Sequence, residues 1–461
     1  MIRAGAATVD ITPPLGVPLA GSFTARYAVD VDDPLSCRAV VLEDDTGPGG
    51  RVAFVLCDLI CLPGPVMGAV RDLLAGEEIV PPQRVLVAAT HTHTAPSPTG
   101  LLGTPPATAY MEALPRRIVS AIALATRRLR PARVAWGSGQ EAGVSFNRRF
   151  KMRDGTVRMN PGRRNPDALA PVAPIDPEVG VLWVEGTDGV PIACLTSFSL
   201  HYVGTDHSDH VSADYFGAYA RWMQRLFGPQ LVPLLFNGAS GDVNNVDVHD
   251  PRQPSGRPQA ERVAAILAGE TLRVVQRATA RFAEDVTLGA ATAPLPFARK
   301  AVTPADLEIA ARLLALPPDL PPAQRRPAAG LDAGGPFSWV VGQPLPDNVL
   351  LQYAEETRLL EALPEQLETE VLALRVGECA CVALPGEVFV QLGLRLKGQS
   401  PFLPTLIASL ANGYIGYVPT RKAIEEEGGY ETWAARSALP AAGTGEAMVT
   451  LAAGLLRALA P

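Results

Sequence analysis

Apolar residues along this chain come in short, β-branched runs that stop abruptly at small or polar residues. Six stand out: 51–59 (RVAFVLCDL), 84–90 (RVLVAAT), 193–200 (ACLTSFSL), 231–236 (LVPLLF), 380–384 (ACVAL) and 405–410 (TLIASL). Hydrophobicity that is continuous rather than alternating marks strands covered on both faces. Helical patterns lie between the runs. Over 110–130, Met111, Leu114, Ile118, Ile122, Ala125 and Leu129 recur at three- and four-residue spacing and form one buried face. Pro115 fits such a helix only in its first turn. Residues 213–227, 261–280, 353–363 and 445–460 read as further helices, and Pro364 stops the one before it. The predicted class is α/β, mixed sheets with flanking helices. A segment rich in Ala and Pro, 304–346, interrupts the rhythm and reads as helix, loop and helix inserted into a single domain spanning 1–461.

Composition narrows the field. With 47% apolar and 19% charged residues the chain is not of the disordered class. The formal net charge is −7 and the Lys and Arg residues are scattered, which argues against nucleic-acid binding by counterion release. No run of about 18 apolar residues lacks a charge, Pro or turn former, so no membrane span is expected. The start, MIRAGAATVDITPP, has no basic segment followed by an apolar core and does not read as a secretory signal. Six cysteines without a CxxC pair fit neither a disulfide framework nor a thiolate zinc site. The expected setting is reducing and cytoplasmic.

The six histidines carry most of the chemistry. The run 84–90 delivers His91, and the run 193–200 delivers His201. The run 231–236 leads to Asn237 and Gly241-Asp242, the run 380–384 to Glu387, and the run 405–410 to Asn412, Tyr414 and Tyr417. In open α/β sheets, ligands bind beyond the carboxyl ends of strands. In HTHTAPS (91–97), extended backbone would point His91 and His93 the same way. Paired imidazoles suit zinc, and a carboxylate from elsewhere would complete a three-ligand catalytic site with one position open. Two surface histidines in a loop would give the same HxH pattern, but His201 and Glu387 at strand ends favour the metal. His201 alone fits a satisfied core histidine equally well. His207 and His210, in GTDHSDH, read as a solvated loop, and His249 as surface. Asp214 reads as a helix N-cap. There is no HExxH, no P-loop lysine after NGASGDVNN (237–245), and no GxSxG serine elbow.

At these residues the chain resembles the neutral ceramidase family, zinc-dependent amidases that cleave the N-acyl bond of ceramides. ATHTHTAPS, SFNRR, SFSLHYVGTD with VSADYFGAYA, NGASGDVNN, ALPGEVF and ANGYIGYVPT resemble six of that family's segments in the same order. The resemblance implies the ceramidase catalytic-domain fold and a zinc ion held by His91, His201, Glu387 and Tyr417. It further implies that His93 and Arg148 stabilise the developing oxyanion and that Tyr430, in GGYET, is a second active-site tyrosine. Three departures stand out. Asn244 replaces a family serine, the family's C-terminal immunoglobulin-like domain has no counterpart, and the family's secretion signal is lacking. These point away from ceramide itself.

The expectation is therefore a zinc-dependent amidohydrolase acting on an N-acylated small molecule or lipid through a metal-activated water, a route that needs no serine. A metal-dependent esterase or lactonase of a small metabolite is the rival enzyme reading. A non-catalytic binding protein on the same fold is the rival from another class.

Overall fold

The computed structural model describes residues 2–332 and 336–460. All six apolar runs are strands. The larger sheet contains β1 (Arg3–Asp10), β2 (Ser36–Glu43), β3 (Val52–Cys57), β4 (Val85–Ala89), β5 (Arg130–Gln140), β6 (Glu178–Gly186), β7 (Pro191–Phe198) and β8 (Val232–Asn237). Their order is β8-β7-β6-β5-β1-β2-β3-β4. The smaller sheet runs β9 (Leu288–Ala298), β10 (Gln366–Val376), β11 (Cys379–Leu384), β12 (Thr405–Ser409). Three neighbouring pairs are parallel, namely β3 with β4, β7 with β8 and β11 with β12, and the rest are antiparallel. The six runs legible in the sequence are the six members of those parallel pairs.

Alternation along each strand sorts side chains into layers. In β2, Val40 and Leu42 face the smaller sheet, where they meet Leu372, Leu374, Cys381 and Leu406. Ala39 and Val41 face outward, under α1 (Gly64–Glu77) and α2 (Thr108–Arg127). The other half of the larger sheet's outer face is covered by α3 (Asp214–Phe227) and α4 (Gly256–Ala278). The inserted region contributes α5 (Pro304–Leu314) and α6 (Pro322–Ala328), followed by α7 (Leu350–Glu361). The outer face of the smaller sheet is covered by α8 (Val390–Gln399) and α9 (Thr444–Leu459). The result is helices, sheet, sheet, helices.

Two local expectations are corrected. α2 starts at Thr108 and Pro115 lies in its interior, not its first turn. Pro115 cannot donate to the Met111 carbonyl, but Met111, Leu114, Ile118 and Ile122 are buried on the same face and hold the helix in place. Asp214 is not the N-cap of α3. Ala213 occupies that position, and Asp214 takes a left-handed φ of 50°.

The rule for open parallel sheets predicted a common rim, and a mixed sheet reaches it differently. β4 and β7 run in opposite senses within the larger sheet, yet the sheet curls until β8 packs against β2, β3 and β4. Asn237, at the end of β8, donates from Nδ2 to the Thr90 carbonyl beyond β4 at 3.4 Å. Asn412, beyond β12, exchanges bonds with Val85 and Val87 of β4, at 2.8 to 3.1 Å. Asn412 is thus a plug between the two sheets, not a ligand.

The segment 304–346 forms helices as expected, with residues 333–335 outside the described residues. Thr303 and Asp306 make a reciprocal capping box on α5. Asp306 also accepts from Ser338 N and Oγ at 2.6 Å each, which ties the two ends of the insertion together. Its apolar residues join α7 in a separate cluster with Leu102 and Trp433.

Lys300, just after β9, is buried with its ammonium donating to the Ala438 carbonyl at 2.7 Å. Burial pushes its pKa down to about 7. Below that value the folded state carries a desolvated charge, and between about 7 and 10.5 the unfolded chain holds more protons, so stability rises with pH there. Lys300→Met is therefore expected to stabilise by on the order of 1–3 kcal/mol at pH 7. The gain should shrink toward pH 10, as read from paired chemical denaturation curves.

Candidate metal centre

β4 leads into His91, whose φ of 76° lies in the left-handed region. That conformation costs a β-carbon-bearing residue about 1–2 kcal/mol and persists only where its surroundings impose it. The backbone is therefore not extended through HTH. The turn instead brings the His91 and His93 rings to 4.9 Å between centroids. His91 N donates to the Leu59 carbonyl at 2.8 Å, and Nδ1 lies 2.8 Å from the Ile60 carbonyl. A carbonyl only accepts, so Nδ1 holds a proton, and it is the neutral ring that presents its Nε2 lone pair.

That Nε2 is buried without a hydrogen-bond partner. It faces Glu387 Oε2, equally buried and unpartnered, at 3.3 Å. Two such atoms facing each other inside a protein need something positive between them, a metal ion or a proton on Nε2. Metal–ligand bonds of about 2.0–2.2 Å place neighbouring ligand atoms roughly this far apart.

Glu387 follows β11 and pairs in parallel with Tyr417 across a two-residue ladder, Glu387–Val388 with Tyr417–Val418. The approach is tight: a Cβ on Gly386 would meet the Gly416 carbonyl at 2.6 Å. Tyr414 donates to Glu387 Oε1 at 2.9 Å, which occupies that oxygen and leaves Oε2 free. Burial opposes the carboxylate charge, but His91, Arg148 and Tyr417 outweigh it and hold the Glu387 pKa below its ordinary value.

His201 follows β7. Its Nδ1 lies 3.6 Å from Glu387 Oε2 and 3.2 Å from Arg148 Nη1, and its Nε2 lies 2.9 Å from His93 Nε2. Ring nitrogens of His91, His93 and His201 all fall within 4.8 Å of one another, so distance alone does not separate His93 from the other two. Burial and neighbouring charges push His201 far below its ordinary pKa. The same causes, burial first and then His91, push His93 down to about 3, so both are neutral at pH 7.

Arg148 is buried. It donates to Glu431 Oε1 at 2.8 Å, the Gly241 carbonyl at 2.9 Å and the Tyr417 hydroxyl at 3.1 Å. Burial disfavours its charge, but Tyr417, Glu431 and Glu387 hold its pKa above the ordinary value. Arg149 is buried on the other side of Glu431, at 3.5 Å, and also pairs with Glu427 at 3.1 Å.

His91, His93, Glu387, Tyr414, Tyr417 and Tyr430 line a cavity whose far wall includes Phe23, Leu101 and Leu102. His201 and Arg148 lie behind this lining. Burial raises the pKa of Tyr417 and Tyr430, which keeps both hydroxyls protonated. The Tyr430 ring packs edge-on against Tyr417, with centroids 5.6 Å apart. α7 braces that far wall: Glu356 accepts from Leu102 N at 3.2 Å and from Arg436 at 2.7 Å, and Gln352 donates to the Phe23 carbonyl at 3.1 Å.

The structure thus brings together His91, His93, Arg148, His201, Glu387, Tyr417 and Tyr430. Asn244 is not at the cavity. It is buried, pairs with Phe146, and accepts from Val246 N at 3.0 Å. Within the same loop, Asp242 accepts from Val390 N at 2.7 Å and Asn147 Nδ2 at 3.1 Å. NGASGDVNN is therefore a brace between the sheets' loops. His249 is exposed, and His207 and His210 sit against Asp32.

Three residues escaped the sequence reading. In sequence Tyr414 reads only as a strand-end residue, and Glu431 carries no signal beyond GGYET. Gly21, with φ 85°, lies so close to His93 that a Cβ there would come within 2.7 Å of the His93 Cβ.

No protein-family model matches the chain, and no curated protein matches it. Solved structures do. The neutral ceramidase from Pseudomonas aeruginosa superposes with a TM-score of 0.72 at 19% identity, over 99% of this chain and 74% of that one. A ceramidase complexed with C2 superposes with a TM-score of 0.72 at 20% identity, over 99% of this chain and 75% of its own. At such identities the likeness is one of fold. The chain has the fold of the neutral ceramidases.

Proposed function

We propose that this chain hydrolyses the C–N amide bond of an N-acylated small molecule or lipid at a zinc centre formed by His91, His201, Glu387 and Tyr417. The observation that carries the reading is the pair of buried, unpartnered ligand atoms, His91 Nε2 and Glu387 Oε2, opening onto an apolar-walled cavity. The fold shared with proteins named ceramidase supplies the bond type. Bound there, zinc would polarise the scissile carbonyl and lower the pKa of water toward neutrality.

The chain's own groups divide the remaining work. Tyr414 fixes the Glu387 carboxylate through Oε1. Neutral His93 and the protonated Tyr430 hydroxyl face the cavity, where they can donate to a carbonyl oxygen and hand a proton to the leaving nitrogen. Arg148, expected to stabilise the oxyanion, is read here as a positioning residue instead: its guanidinium is engaged by His201, Gly241, Tyr417 and Glu431 and is not among the cavity-lining residues. The walls formed by Phe23, Leu101 and Leu102 favour an apolar acyl group. No helix among the described residues is long and apolar enough to cross a membrane. A cytoplasmic setting, expected from the thiols, belongs to the same proposal.

Elemental analysis and an amidase assay test the reading together. His91→Ala and Glu387→Ala should each lose one equivalent of zinc, and at least about a thousandfold in kcat/KM on N-acyl amides. Wild-type protein that cannot take up zinc at His91 would refute the centre. Turnover of esters or lactones without amides would refute the bond assignment.

Two milder variants separate the roles. Tyr414→Phe removes one hydroxyl and should weaken zinc affinity by about 10–100-fold in a chelator competition titration. Gly21→Ala should displace His93, lowering kcat/KM by about a hundredfold while zinc content stays at the wild-type level.

A further inference from the structure

Away from this centre, Asp32, His207 and His210 present ligand atoms that all lie within 4.8 Å of one another. We propose that these three residues hold a second divalent cation, of the zinc-like class that favours imidazole with carboxylate. This departs from the solvated loop expected of GTDHSDH, and it stands independently of the amide reading.

The geometry suits an ion. His207 Nδ1 lies 3.4 Å from Asp32 Oδ2, and His210 Nδ1 lies 2.9 Å from Asp32 Oδ1. The first separation is too long for a strong hydrogen bond. With metal–ligand bonds of about 2.0–2.2 Å, both separations fall in the range spanned by octahedral and tetrahedral neighbours. The two rings lie 4.2 Å apart, tilted at 30°, and both offer Nδ1 to the same carboxylate. The His207 side chain is 56% exposed, which leaves positions for water around the ion. Two imidazoles and one carboxylate with open positions match zinc, cobalt or nickel rather than calcium or magnesium.

The backbone fixes Asp32 and His210 before any ion arrives. Asp30–Val31 pairs in parallel with His210–Val211, and Asp32 N donates to the Val211 carbonyl at 2.9 Å. The same segment supports the catalytic loop. Arg26 donates to the Ser208 carbonyl at 2.7 Å and to the His93 carbonyl at 2.9 Å. Thr92 Oγ1 donates to the Ser212 carbonyl at 2.7 Å, and His93 N donates to Asp214 Oδ2 at 3.2 Å. An ion between residues 32, 207 and 210 would therefore clamp the strap on which His93 rests.

The test is calorimetric titration of chelator-stripped, full-length protein with Zn²⁺ alone. His91→Ala, which disables the first centre, should still bind one equivalent. That equivalent should vanish in the His91→Ala/His210→Ala double variant and weaken by more than about tenfold when Asp32→Asn is added instead. Zinc should also slow amide hydrogen exchange over residues 207–214 in His91→Ala. Folded His91→Ala that binds no zinc overturns the proposal, as does an equivalent that survives both second substitutions. Failure of the first centre reads differently: His91→Ala would then bind as much zinc as the wild type.

Discussion

The His201 and Tyr417 side of the site depends on one buried carboxylate. Glu431 has no solvent exposure and lies between Arg148 and Arg149. Through Arg148 it reaches His201, the Gly241 carbonyl and the Tyr417 hydroxyl, and through Arg149 it reaches the Gly428 carbonyl and Glu427. Groups from five separate stretches are thus held by one negative charge. Taking two guanidinium ions and a carboxylate out of water is expensive, and removing one member of such a set typically costs about 3–5 kcal/mol because the others are left uncompensated. An apolar substitute would pack as well but would orient nothing. Here the network sets the direction in which His201 and Tyr417 face.

The near wall is organised by backbone instead. His91 is held in a left-handed conformation by bonds to the Leu59 and Ile60 carbonyls. Gly21 presses on His93 from one side, while Asp214 and Arg26 grip its backbone from the other. Rigid presentation of this kind removes the reorganisation that loose side chains would need before reacting.

Much of this was legible in the sequence, for identifiable reasons. Parallel strands are buried on both faces, so β3, β4, β7, β8, β11 and β12 stood out as unbroken apolar runs, and these strands deliver His91, His201, Glu387 and Tyr417. Two of the antiparallel strands are different. β9 and β10 are partly exposed, with burial broken along their length, and their apolar signal is diluted accordingly. The curl that brings the ends of β4 and β8 together leaves no local trace, since it arises from packing between distant segments. Residues whose role is to hold another residue were the least visible. Glu431, Tyr414 and Gly21 are ordinary in their own sequence windows and acquire meaning only from partners 20 to 280 positions away, roughly, in the chain. Asp214 looked like a cap because caps are the usual use of Asp before a helix. Its left-handed backbone turns the carboxylate toward His93 instead.

The division of the centre between the sheets has a mechanical meaning. His91 and His201 issue from the larger sheet, while Glu387 and Tyr417 issue from the smaller one and its loops. Asn412 already stitches the two at β4. An ion shared by these four residues would act as a rivet through the interface, so its binding energy would be adhesion between layers. The larger sheet presents imidazoles alone, and the one carboxylate, Glu387, comes from the smaller sheet, so a partly opened molecule would lose the only charged ligand of the ion. Release of the metal and separation of the layers would then be one cooperative event, and the domain's thermal endurance would rise and fall with metal supply.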